Sequence, residues 1–194
     1  METARTLLVG KEQAVMNQLL SALRADGHVV EGTVQLDTVH EDFNACDFTL
    51  IGLGGGFNDE ERAQLRQGFQ LQNPEVRLED VFGPVGHAQL QFLLSQAAQQ
   101  PALARLTVSL ADPQPQVQMV VRAPSEATIA LYHFQEKLHI EELFKGELPA
   151  GTTRLPLRRE QLLPSMLYYV VAQLPQGEVH THRFTMPQER HETA

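Results

Sequence analysis

Two rhythms of apolar residues alternate through the first hundred positions. Leu7, Leu8 and Val9 make a short apolar run, and Val15, Leu19 and Leu23 then recur at helical spacing within residues 13–25. Gly27 stands where such a helix would stop, since glycine accepts the left-handed backbone of a C-terminal cap. Residues 29–34 read as a second strand, 36–43 as a short helix or loop, and 48–53 as a third strand that is apolar almost throughout. A strand apolar on both faces is what a sheet covered by helices on each side requires. Residues 58–71 follow as a helix with Leu65 and Phe69 one turn apart, then 76–82 as a fourth strand. Residues 86–99 close the series as a helix with Leu90, Leu93 and Leu94 inward. Repeated strand–helix units predict a parallel sheet with right-handed crossovers, here in the order 2-1-3-4: a three-layer Rossmann-like or flavodoxin-like α/β domain over residues 1–100.

The rhythm changes near Gln99-Gln100-Pro101, where helical spacing stops and short strands begin. Candidate strands cover residues 104–110, 116–122, 127–134, 139–145, 152–157, 166–174 and 178–186. Proline and glycine separate them at Pro113, Pro115, Pro124, Pro149, Gly151, Pro164, Pro175 and Gly177. Val117, Met119 and Val121 alternate as one buried face. Seven strands at this spacing predict an all-β Ig-like or fibronectin-like sandwich over residues 104–188, followed by a polar, frayed tail over 189–194.

Charge divides the chain the same way. The net charge is −9; residues 1–100 carry 6 Lys and Arg against 14 Asp and Glu, and residues 101–194 carry 9 against 10. An acidic first half repels a phosphate backbone, and the second half offers only Arg154, Arg158 and Arg159 as a basic cluster, so no nucleic-acid partner is expected. No apolar run approaches the roughly 20 residues that cross a bilayer, so no membrane association is expected. The first residues lack the basic region of a signal peptide. The single cysteine, Cys46, excludes an intramolecular disulfide and reads as a small buried hydrophobe beside Phe43 and Phe48. These features predict a cytoplasmic protein.

In the second half, Ala127-Thr128-Ile129-Ala130-Leu131-Tyr132, Glu136-Lys137-Leu138, Leu148-Pro149-Ala150-Gly151-Thr152 and the run from Leu163 to Val171 resemble the C-terminal sorting domains of Bacteroidetes type IX secretion. They are also similar to the Ig-like domain of flagellar hook-capping proteins. The resemblance spans residues 104–187 and implies the fold. A sorting role would make this an envelope or secreted protein, and it would need an export signal at the N-terminus. The resemblance also implies a core tyrosine near a strand start, Tyr168, with its hydroxyl bonded to nearby backbone. The first half resembles a degenerate response-regulator receiver or a flavodoxin-like domain. A receiver carries acidic residues after its first strand and a phosphoacceptor aspartate at the end of its third. Those positions here read Gly10-Lys11 and Leu53-Gly54, so the residues of phosphotransfer are missing.

Candidate chemistry gathers where the third strand opens onto Gly54-Gly55-Gly56. Glycine loops bind phosphate by aiming backbone N–H groups and a helix N-terminus at it. The next helix begins Asn58-Asp59-Glu60-Glu61, with Asn58 as N-cap and Glu61 in the capping-box position, so carboxylates already hold the positive end of the helix dipole. The glycines also lack the spacing of a dinucleotide fingerprint and a Walker lysine. The triplet therefore reads as a tight turn or a contact surface. His87, after the fourth strand, is placed near the triplet as a candidate general base without a partner. His180 and His182 share a strand face as candidate metal ligands and need a third ligand from His133, His139 or a carboxylate.

The expected protein is non-catalytic and without a cofactor, an interaction, scaffold or regulatory protein that binds another protein or associates with itself as a homodimer. The alternative is a small-ligand or nucleotide binder, or an enzyme, that uses Gly10, Lys11, Gly54, Gly55, Gly56 and His87.

Overall fold

A computed structural model describes residues 5–95, 100–110 and 114–187, and the chain forms two compact units, Met1–Gln91 and Phe92–Ala194. The polar tail expected over 189–194, and the end of the helix expected to reach 99, lie outside the described residues.

The first unit alternates strand and helix in the order β1 (Arg5–Val9), α1 (Gln13–Ala25), β2 (Val29–Thr33), α2 (Val39–Asp42), β3 (Leu50–Gly54), α3 (Asp59–Gln72), β4 (Arg77–Val81) and α4 (Gly86–Leu94), of which the residues to Gln91 belong to this unit. Its four strands are parallel in the order β2-β1-β3-β4. Both faces of the sheet are covered. On one, Leu7, Val9, Ile51 and Leu53 pack with Leu65 and Phe69 of α3, Val39 of α2 and Ala45. On the other, α1 and α4 press close to strand glycines: a Cβ on Gly32 would lie 2.5 Å from Met16 Sδ, and one on Gly52 would lie 2.8 Å from Leu8 and 3.7 Å from Leu90.

Helix ends follow local chemistry. Gly27, at φ +87°, closes α1 in a Schellman arrangement, with the Gly27 N–H on Arg24 O and the His28 N–H on Leu23 O. The α1 stripe is turned by one residue from the expected Val15, Leu19, Leu23. Val15 is 42% exposed, and Met16, Leu20 and Leu23 are buried, because the space above Gly32 admits the unbranched Met16 side chain. Cys46 is also corrected: it is exposed, on a 3-10 turn (Ala45–Asp47) whose buried position belongs to Ala45.

Side chains bond to some backbone groups of the outer strands of this sheet. Arg24 donates to the Val30 carbonyl of β2 at 3.0 and 3.2 Å. On β4, buried Gln89 donates to Asp80 O at 2.7 Å and accepts from the Phe82 N–H at 3.2 Å, while Arg66 reaches Leu78 O at 3.4 Å.

The second unit holds β5 (Leu103–Ser109), β6 (Gln116–Val121), β7 (Ser125–Phe134), β8 (Leu138–Leu148), β9 (Gly151–Pro156), β10 (Leu167–Gln173) and β11 (Val179–Thr185). They form two antiparallel sheets, β5-β6-β9 and β11-β10-β7-β8. One core lies between them: Leu103, Val117, Met119 and Val121 from the first, and Ile129, Leu131, Tyr168, Val170 and Phe184 from the second. Tyr168 is fully buried; its hydroxyl accepts from the Leu163 N–H at 2.7 Å and donates to Gln161 O at 3.3 Å, as the resemblance implies. Buried Glu178 accepts the N–H groups of Ala102 and Leu103, each at 2.8 Å, and so ties the start of β5 to β11. No helix among the described residues is long and apolar enough to cross a membrane.

Candidate functional site at the carboxyl edge of the parallel sheet

Because β1 and β3 are neighbours and parallel, the loops that leave them lie side by side. β3 runs through Gly54, so the turn itself is Gly55-Gly56. At Gly54 the two backbones lie close together: a Cβ there would lie 3.3 Å from Val9 O and 3.4 Å from Gly10 Cα. A Cβ on Gly56 would lie 3.9 Å from the Lys11 side chain. The structure therefore brings Gly10, Lys11, Gly54, Gly55 and Gly56 together, as the strand order predicts.

The polar groups there are bonded to one another. Lys11 Nζ donates to both carboxylate oxygens of Glu61 at 2.7 Å and stands 5.6 Å from the centroid of the Phe57 ring, which is buried. Glu61 closes the capping box: its carboxylate accepts the Asn58 N–H at 2.9 Å, and Asn58 Oδ1 accepts the Glu61 N–H at 2.8 Å. The bond from Lys11 first, and that from the Asn58 backbone second, hold the Glu61 carboxyl below its usual range. Below the turn, Arg62 is 6% exposed, donates to Gly54 O at 3.0 Å and pairs with Asp80, which also accepts from Arg66 at 2.9 Å. Arg62 Nε has no partner among the described residues.

Arg62 and Asp80 are the site residues that the sequence reading missed. The signal was present, because Arg62, Leu65 and Phe69 fall on one helical stripe, and a buried guanidinium requires a carboxylate or carbonyl within reach. Such an arrangement holds the glycine turn. Its one lysine is neutralised by the residue that caps the adjacent helix.

His87 is drawn elsewhere. Its Nε2 lies 2.6 Å from Asp26 Oδ2, which also accepts from Gln91 Nε2 at 2.7 Å. Asp26 caps the end of α1 that leads back to β2, so the ring turns along α1 and away from the triplet. The bond to His87, followed by that from Gln91, holds the Asp26 carboxyl below its usual range.

The described histidines of the second unit do not converge on one centre. His180 Nε2 lies 2.7 Å from Glu178 Oε1, the carboxylate already bonded to Ala102 and Leu103. His182 opposes Val170 on β10. His133 and His139 oppose each other across β7 and β8 and stack, with ring centroids 5.0 Å apart. Among the described residues no three His, Cys, Asp or Glu side chains are grouped to hold a metal ion.

No protein-family model matches the chain, and no curated protein matches it. Among solved structures, a family 3 β-glucosidase from Bifidobacterium adolescentis is 10% identical at TM-score 0.38, covering 95% of this chain and 49% of its own. A β-glucosidase from Listeria innocua with bound glucose is 13% identical at TM-score 0.36, covering 95% and 46%. An NAD kinase from Archaeoglobus fulgidus with ATP is 11% identical at TM-score 0.29, covering 95% and 92%. The chain spans about half the length of those glucosidase chains. Likenesses this distant assign neither family nor activity.

Proposed function

We propose that this is a non-catalytic interaction protein, in which a receiver-like α/β domain without phosphotransfer residues is joined to a fibronectin-like sandwich, and that it acts by binding another protein. One observation carries the reading. At the carboxyl edge of the sheet, where α/β folds place their ligands, Lys11 is bonded to Glu61, Arg62 to Gly54 O and Asp80, and the helix start to its own capping box. Lys11 Nζ, the two terminal nitrogens of Arg62 and the helix start are thus each bonded to a neighbour, and Arg62 Nε is the exception.

The sandwich reading is supported by the three-on-four strand arrangement and by the Tyr168 hydroxyl bonded back to Gln161 and Leu163. The choice of a separate protein partner over strand pairing between copies is supported by the side chains of Arg24, Gln89 and Arg66 on the outer strands of the first sheet. An apolar contact surface is supported on the β7–β8 hairpin. There Phe134 (53% exposed) and Ile140 (59%) stand on one sheet face, opposite Leu138 and Tyr132 respectively.

Thermal unfolding with ATP, NAD or FMN at millimolar concentration tests the reading. A nucleotide at a hundredfold its Kd stabilises the fold it binds by about 2.7 kcal/mol, a shift on the order of 10 °C for a unit of this size. No saturable shift is expected. A saturable shift of several degrees, abolished by Lys11→Ala, overturns the proposal in favour of a ligand-binding carboxyl edge.

A further inference from the structure

The β7–β8 hairpin closes on a pair of histidines. His133 and His139 are directly opposed across the ladder, with ring centroids 5.0 Å apart and planes 9° from parallel. On its other side His133 lies 5.1 Å from the ring of Tyr168, which is itself anchored through its hydroxyl to Leu163 and Gln161. His133 is thus held between a fixed aromatic wall and a second imidazole, and both histidines are half-buried.

The charged surroundings are sparse. From β8, Glu141 is the carboxylate in electrostatic reach of His133, and His139 is the facing titratable group. From β10 comes the uncharged Tyr168, backed by Phe184 of β11. The three-stranded sheet contributes the apolar Leu103, Val117, Met119 and Val121 to the shared core. Glu136 and Lys137 in the turn, and Arg158, Arg159 and Glu160 before Gln161, are exposed to water. Burial first, and His139 second, push the His133 imidazole below its ordinary range, while Glu141 pushes it up.

β8 is the outer strand of its sheet, so the end of the hairpin is held on one side only. The two rings are 9° from parallel, so in this arrangement their in-plane lone pairs do not point at a common centre. We propose that His133 and His139 form a proton-operated latch on the β7–β8 hairpin, in which the first proton is balanced by Glu141 and the second separates the rings and frees the strand ends beside the turn. The proton comes from solvent and no covalent bond changes. The consequence is a hairpin end, carrying Phe134 and Ile140, that is closed at neutral pH and open in mild acid.

Histidine ring resonances and amide exchange of the full chain, followed from pH 8 to pH 4.5, test this. His133 is expected to titrate below an ordinary histidine, and the amides of residues 132–140 to lose at least tenfold in protection between pH 7.5 and 5.0 after correction for intrinsic exchange. In His139→Gln, His133 is expected to move up toward its ordinary value and the loss of protection to fall below threefold. Ordinary, independent titration of His133 in the wild-type chain overturns the proposal. So does a loss of protection that persists unchanged in His139→Gln.

Discussion

The His40 side chain lies over Gly68, where an added Cβ would come 2.3 Å from Nε2, and its ring meets Phe69 edge-on at 4.5 Å. Gln72 holds the same corner: it donates to His40 O at 2.7 Å and accepts the Ala45 N–H at 2.8 Å. Glycine inside α3 is therefore kept for a ring and not for a turn. Gly68→Ala gains about 1 kcal/mol of helix propensity and loses about 1–3 kcal/mol to overpacking, so it is expected to destabilise. In a His40→Ala background the ring is gone and the same change is expected to stabilise by about 0.5–1 kcal/mol. Urea unfolding of the four proteins in this cycle measures the coupling, and a Gly68→Ala effect of the same sign in both backgrounds overturns it.

At the scale of elements, strands and helices were legible wherever a local signal marked them. The Schellman glycine at Gly27 and the capping box at Asn58 and Glu61 stop and start their helices as read, and Val117, Met119 and Val121 are buried as their alternation requires. The strand order β2-β1-β3-β4 follows from right-handed crossovers. What periodicity could not supply is the rotation of α1, since Val15 and Met16 are both apolar and only the gap above Gly32 chooses between them. Tyr168 is one tie among elements of the second unit, bonded to Leu163 and Gln161. Tyr168→Phe leaves the Leu163 N–H without its acceptor, at a cost of about 1–3 kcal/mol, with little change in fold. A loss below about 0.5 kcal/mol in chemical denaturation would show that water replaces the hydroxyl.

Across the whole molecule, titratable groups make stability depend on pH in two windows. Burial holds His40 below its ordinary 6.5, so the folded state binds its proton less readily than the unfolded chain. That contribution is complete above about pH 6.5 and declines as pH falls from there toward the folded value. Asp26 and Glu61 are also lowered, from 3.8 and 4.5, so their contribution is present above those values and is lost as pH falls below them. The urea midpoint is expected to drop between pH 7.5 and 5.5 and again below pH 4.5; because burial lowers His133 as well, a first drop that is unchanged in His40→Ala would remove His40 as a source. By itself the sequence determined the two-part organisation, the elements, the strand order and the gathering of Gly10, Lys11 and the glycine triplet, because these depend on periodicity, caps and chain connectivity. Only the tertiary structure decided that Arg62 meets Asp80, that Lys11 is taken by Glu61, that His87 turns to Asp26 and that His133 stacks on His139. Each of those pairs joins residues on different elements, and side-chain reach between elements is set by packing that no single segment encodes.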